Sequence, residues 1–255
     1  MPPAPTTPPT HPLPDFELAE PEKFDPNVLT SSGNDAVDAF VLTLAHVFND
    51  LKSLSWVAYQ MKSGIGNVTS RADDPYLGQV NGFNEWCNRQ MISVVNEFLV
   101  LVSKSTLAIE AAPFRECLAA CSGVTQDQWD SIVDVAFDRK KKAGPFAKYL
   151  RLIRNKVGHH YESGPLLEGY KNHFFVVKPV GVSDFAYASL GSRMETTRFF
   201  FADAASQAYV RRILDDEQDT LLNRALDTVL EVNETLRFIL EAYLRLRAAA
   251  LRQAV

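Results

Sequence analysis

A chain of 255 residues, 46% hydrophobic and 22% charged, can bury a sizeable core as one large domain or two small ones and has the composition of an ordinary globular protein. Its 26 Lys and Arg against 31 Asp and Glu leave a net charge of -5, which excludes a protein that coats nucleic acid non-specifically, because such binding relies on many cations displacing counterions. Only a local basic patch would serve RNA, and the lack of any run of about eighteen apolar residues excludes a membrane span.

Residues 1–29 are rich in Pro through Pro26 and read as a disordered, polyproline-like leader, with a Pro-rich ligand for a partner as the alternative. They lack the basic start and apolar run of a signal peptide. Residues 30–255 read as a single helical-bundle domain. Its first helix is predicted from Asn34 or Asp35 to about Met61, with Val37, Phe40, Val41, Leu44, Val47, Phe48, Leu51 and Leu54 spaced by three and four along one apolar stripe. Asn49 and Asp50 lie off that stripe. The Gly- and Asp-containing stretch from Lys62 to Asp74 reads as a loop, and its Gly64-Ile65-Gly66 lacks the Lys-Ser/Thr of a phosphate loop.

A second helix is predicted from Pro75 to Ile109, with Val80, Phe83, Cys87, Met91, Val94, Phe98 and Val102 on a packing face rather than a cofactor box. Cys87, Cys117 and Cys121 form an odd count without a disulfide framework, which fits reduced thiols and a cytoplasmic location. Cys117 and Cys121 are four apart, but no second ligand pair follows, so they read as buried apolar thiols; no metal and no cofactor is expected. After a short element from Pro113 to Cys121, Thr125 and Gln128 fit a capping box that opens a third helix burying Trp129, Ile132, Val133 and Ala136. That helix ends on Arg139, Lys140, Lys141 and Lys142, the densest basic cluster. Four cations there suit the helix dipole, and they also mark the expected phosphate path if the chain binds RNA.

Pro145 suits the first turn of the next helix, where Phe146, Leu150, Ile153 and Val157 share a packing face. With Ile153 at zero, Arg151, Asn155 and His159 point to about 160°, 200° and 240°, away from the core, while His160 returns to the packing side near about 340°. Arg154 lies about 140° from His159 on a regular helix. The two therefore meet only if the helix loosens at Gly158 or if two copies of it cross.

Arg154-Asn155, three further residues and His159, followed by Tyr161, resemble the Arg-Asn-x-x-x-His pattern of the HEPN superfamily, small helical bundles whose nuclease members build their site in a cleft between two protomers. His159-His160-Tyr161 is also similar to the His-x-Tyr ending of a toxin branch. The resemblance implies a mainly α, HEPN-like up-and-down bundle, a homodimer, and a metal-independent endoribonuclease of a toxin–antitoxin or antiviral defence system. It further implies RNA as substrate, an antitoxin or nucleotidyltransferase as partner, and Tyr161 as a target of modification. In family members a polar or acidic residue of an early helix stands near the Arg and His; neither Asn49 nor Asp50 matches specifically enough to be given that role.

The chemistry fits the residue types. A histidine near its ordinary value of about 6.5 can take a proton from a ribose 2′-hydroxyl or give one to the leaving oxygen. Arg154 can hold non-bridging oxygens with two aligned donors, Arg151 and the Arg139–Lys142 cluster can guide the backbone, and Asn155 can position the scissile group or the His ring. A 2′,3′-cyclic phosphate would result, and DNA would survive. The alternative is a helical adaptor or nucleotide-binding module in which Arg154 and His159 only solvate a helix end.

Beyond the motif, 172–178 and 196–201 are aromatic and β-branched runs that read as two strands, with 185–190 as a third, in a β-hairpin insertion spanning about 170–202. His173 there reads as structural. A last helix is predicted from Asp203 to Arg247 or beyond, with Leu222, Leu226, Val229, Leu236, Leu240 and Tyr243 in a seam that Asn233 interrupts.

Overall fold

Four long helices build the core of the protein, whose computed structural model describes residues 23–63, 75–140, 145–158, 163–176, 186–194, 197–214 and 218–253. A 3₁₀ turn at Pro26–Thr30, capped by Asp25, buries Val28 ahead of α1 (Asp35–Ser63). Asn34 caps α1 as expected: its Oδ1 accepts from the Ala36 and Val37 amides at 3.1 and 3.3 Å. The predicted stripe is the packing face, with Val37, Phe40, Val41, Leu44 and Leu51 buried and Val47, Phe48 and Leu54 packed at its edge.

α2 (Pro75–Lys104) stops before the predicted Ile109. Ser105 leaves the helical conformation and a separate turn, α3 (Thr106–Glu110), tucks Ala108 into the core. α4 (Ala112–Ala119) and α5 (Gly123–Lys140) follow. The expected capping box at Thr125 is displaced to Ser122, whose Oγ accepts from the Thr125 amide at 3.2 Å, while Thr125 is buried and Gln128 accepts from Thr235. Cys117 donates to the Ile239 carbonyl at 3.2 Å, and burial pushes its thiol up to about 12.

α6 (Pro145–Leu152) runs into a π-helical stretch, Ile153–Gly158; α7 (Ser163–Lys171) runs into another, Asn172–Val176; α8 (Phe200–Leu214) and α9 (Gln218–Gln253) complete the chain. The predicted β-hairpin insertion is not seen among the described residues, although 177–185 and 195–196 lie outside them. Asn172–Val176 is helical, Phe200 and Phe201 open α8, and the remaining pairing is one antiparallel bridge between Ser189 and Arg198. The reason is ring packing. Tyr170 gathers Phe174, Phe175 and Phe201 at centroid distances of 4.7, 6.2 and 6.2 Å, and the four-residue spacing from Tyr170 to Phe174 suits a helical face rather than an alternating strand. α7 and α8 approach so closely that a Cβ at Gly169 would collide with the Ala205 carbonyl.

The single last helix is instead α8 and α9. Val229, Leu236 and Tyr243 are buried as expected, while Leu222, Leu226 and Leu240 only flank the seam and the residues before them, Leu221, Ala225 and Ile239, are buried instead; Val232 is also buried and Asn233 stands beside the seam. Tyr243 donates to Asp38 Oδ1 at 2.7 Å, a buried link between α9 and the start of α1. Burial, then the Asp38 acceptor and charge, push the Tyr243 phenol up to about 12. A raised folded value favours the protonated phenol, so this contribution is complete below the ordinary tyrosine value of about 10 and is lost as pH climbs through about 12. The urea midpoint is expected to fall over that window. Tyr243→Phe should flatten the fall, and should cost about 1–3 kcal/mol at neutral pH because it strips a buried carboxylate of its donor.

Candidate functional site

The amphipathic α6 buries Phe146, Ala147, Tyr149, Leu150 and, just past its end, Ile153. These anchors set the following π turn against α2. A π turn closes i→i+5 bonds, so it fits an extra residue into a helix and re-aims the side chains around it.

Arg154 and Asn155 are carried on that turn and are brought together. Arg154 Nη1 donates to Asn155 Oδ1 at 2.9 Å. Its Nε faces Glu97 Oε1 of α2 at 2.5 Å, an ion contact whose N–H is not aligned as a hydrogen bond. Glu97 Oε1 also accepts from Asn96 Nδ2 at 3.0 Å. The Arg154 and Glu97 side chains are 37% and 50% exposed, so solvent screening holds the pair to about 1 kcal/mol or less of stability. What the contact does fix is direction: with Nε set against Glu97 and one Nη1 hydrogen on Asn155, the outer edge of the guanidinium is the one left to present paired donors among the described residues.

Arg151 lies in the last turn of α6 and is half-buried. Arg139 and Lys140 end α5. Lys141, Lys142, His159, His160 and Tyr161 lie outside the described residues, so the basic cluster and the histidine half of the motif are placed by sequence alone. Asn49 and Asp50 are exposed on α1, with Asp50 3.9 Å from His46. The acid beside the arginine is Glu97. Sequence reasoning missed it; the available signal was the Asn96-Glu97 pair of the second helix, of which Asn96 is buried and Glu97 is exposed. His173 holds its ring 4.5 Å from that of its neighbour Phe174.

Among the described residues no group of three or more His, Cys, Asp or Glu is arranged to hold a metal ion, and no helix is long and apolar enough to cross a membrane. Comparison with protein-family models, with curated proteins and with solved structures finds no match.

Proposed function

We propose that the chain is a HEPN-type, metal-independent endoribonuclease of a toxin or antiviral defence system, acting as a homodimer through Arg154, Asn155 and His159. The observation that supports this reading is the π winding from Ile153 to Gly158. It turns each residue by less than the α-helical step, so successive positions from Arg154 up to Gly158 lie closer in phase than on a regular helix. π turns of this kind recur at functional sites. In the proposed reaction His159 takes the 2′-hydroxyl proton, the 2′-oxygen attacks the adjacent phosphorus, and the 5′-oxygen leaves with a proton, giving a 2′,3′-cyclic phosphate. Arg154 offsets the charge gathering on the non-bridging oxygens.

The test is incubation of the purified protein with a mixed RNA pool, compared with Arg154→Ala and His159→Ala. Glu97 is a positioning residue on this reading. Glu97→Ala is expected to lower kcat by about 10- to 100-fold with little change in KM, and Glu97→Gln, which keeps an acceptor, to recover most of it.

A second reading is a non-catalytic helical adaptor or nucleotide-binding module. It is favoured by the internal engagement of Arg154, whose contacts to Glu97 and Asn155 tie the motif to α2. There RNA stays uncut, and Glu97→Ala shifts stability by about 1 kcal/mol or less.

A further inference from the structure

A cavity of about 30 Å³ lies where α2, α6 and α8 meet, and its lining includes Glu85, Arg89, Tyr149, Ile153, Ser206 and Gln207. A water molecule needs about 10–15 Å³ of such space, so there is room for one or two waters and none for an organic ligand. Arg89, one turn beyond Glu85 on α2, already balances its charge, so the space calls for a neutral occupant.

Tyr149 is what makes the cavity unusual. It is 2% exposed, and its hydroxyl has no hydrogen-bond partner among the described residues, whereas a buried phenol usually finds one. Burial, then the Glu85 charge, push the Tyr149 phenol up, so it stays protonated as a donor. The carboxylate is therefore near enough for its charge to reach the phenol and yet makes no hydrogen bond to it. A bridging water fits such a gap.

The direct contacts around the cavity leave bonding capacity for that bridge. Gln207 Nε2 donates to Glu85 Oε1 at 3.0 Å, which uses one of about four acceptor positions on the carboxylate. Arg89 Nη1 donates to Ser206 Oγ at 3.0 Å, which leaves the hydrogen of that buried hydroxyl without an acceptor among the described residues. Two buried hydroxyl donors thus border one small space beside a carboxylate with lone pairs to spare. A single water satisfies all three groups, and two to four polar partners are what a buried water requires.

We propose that this cavity is a binding site for one structural water, which accepts from Tyr149 Oη and Ser206 Oγ, donates to Glu85, and so ties α6 to α2 and α8. The site does not depend on the ribonuclease reading.

A crystal structure of the full chain that resolves ordered waters is expected to show one within hydrogen-bond distance of both Tyr149 Oη and Glu85. Tyr149→Phe keeps the ring and removes the donor. It is expected to lower the thermal midpoint by about 2–4 °C, the effect of losing one buried hydrogen bond in a chain of this size. A dry cavity predicts the opposite sign, because an unpaired buried hydroxyl is itself a cost and its removal would leave the midpoint unchanged or raise it. Tyr59→Phe, at an exposed position of α1, should leave the midpoint where it is. The proposal is overturned if the crystal structure finds the cavity empty, if Tyr149 Oη bonds directly to a side chain there, or if Tyr149→Phe is as stable as the parent chain or more so.

Discussion

Arg154→Ala and His159→Ala are each expected to cut RNA cleavage by at least about a hundredfold. Losing one preorganised donor to a developing oxyanion, or one general acid–base group, commonly has that effect. The losses should not multiply in the double variant, because both residues act on the same transition state. Neither change should shift the thermal midpoint by more than about 3 °C, since the Arg154 pair is solvent-screened. An oligonucleotide with a single 2′-deoxy substitution should be spared at that position, and its all-ribose counterpart should carry a cyclic phosphate at the new 3′ end. Full cleavage by both alanine variants, or an uncut pool with the parent chain, would sink the ribonuclease proposal and leave the adaptor reading.

The largest stability effect is expected at Trp129. It is 1% exposed and meets Phe114 and Phe40 at ring distances of 5.4 and 6.4 Å, while Phe40 and Phe114 meet edge-on at 5.3 Å. The three rings join α1, α4 and α5, so a void there cannot be filled by moving one helix. Trp129→Ala should destabilise by about 3–5 kcal/mol and lower the thermal midpoint by roughly 10 °C. Trp129→Phe, which keeps an aromatic edge in place, should lose less than half as much. A midpoint within about 2 °C of the parent for Trp129→Ala would show that the ring cluster is not the centre of the core.

The parts of this fold that could be read from sequence are those where one physical preference acts alone. The α1 stripe and its Asn34 cap follow from helical period and local hydrogen bonding. The run from Asn172 to Phe175 was misread because β-branched and aromatic residues favour strands only weakly, and Tyr170 offered them helical ring contacts that a local window does not weigh. Half of the α9 seam, Val229, Leu236 and Tyr243, follows the period, and one departure has a related cause: Leu226 is more apolar than Ala225, yet the small Ala225 is what fits at the centre. Glu97 was invisible as a site residue because its partner lies on a helix far along the chain. The cavity residues were equally silent. Glu85, Tyr149 and Ser206 belong to three helices and share no signal until α2, α6 and α8 are packed together.

The close meeting of Gly169 with Ala205 has a thermodynamic side. Among the described residues, α7 contributes no buried apolar residue to the central cluster, and α8 contributes Val210, with Tyr209 packed at its edge. Their mutual contact, backbone against backbone, is therefore largely separate from the energy that holds α1, α2, α5 and α9. A pair joined to α2 largely by polar contacts, Arg89 to Ser206 and Gln207 to Glu85, is expected to part from the bundle at a free energy below that of global unfolding. This partial opening would leave the four-helix core intact.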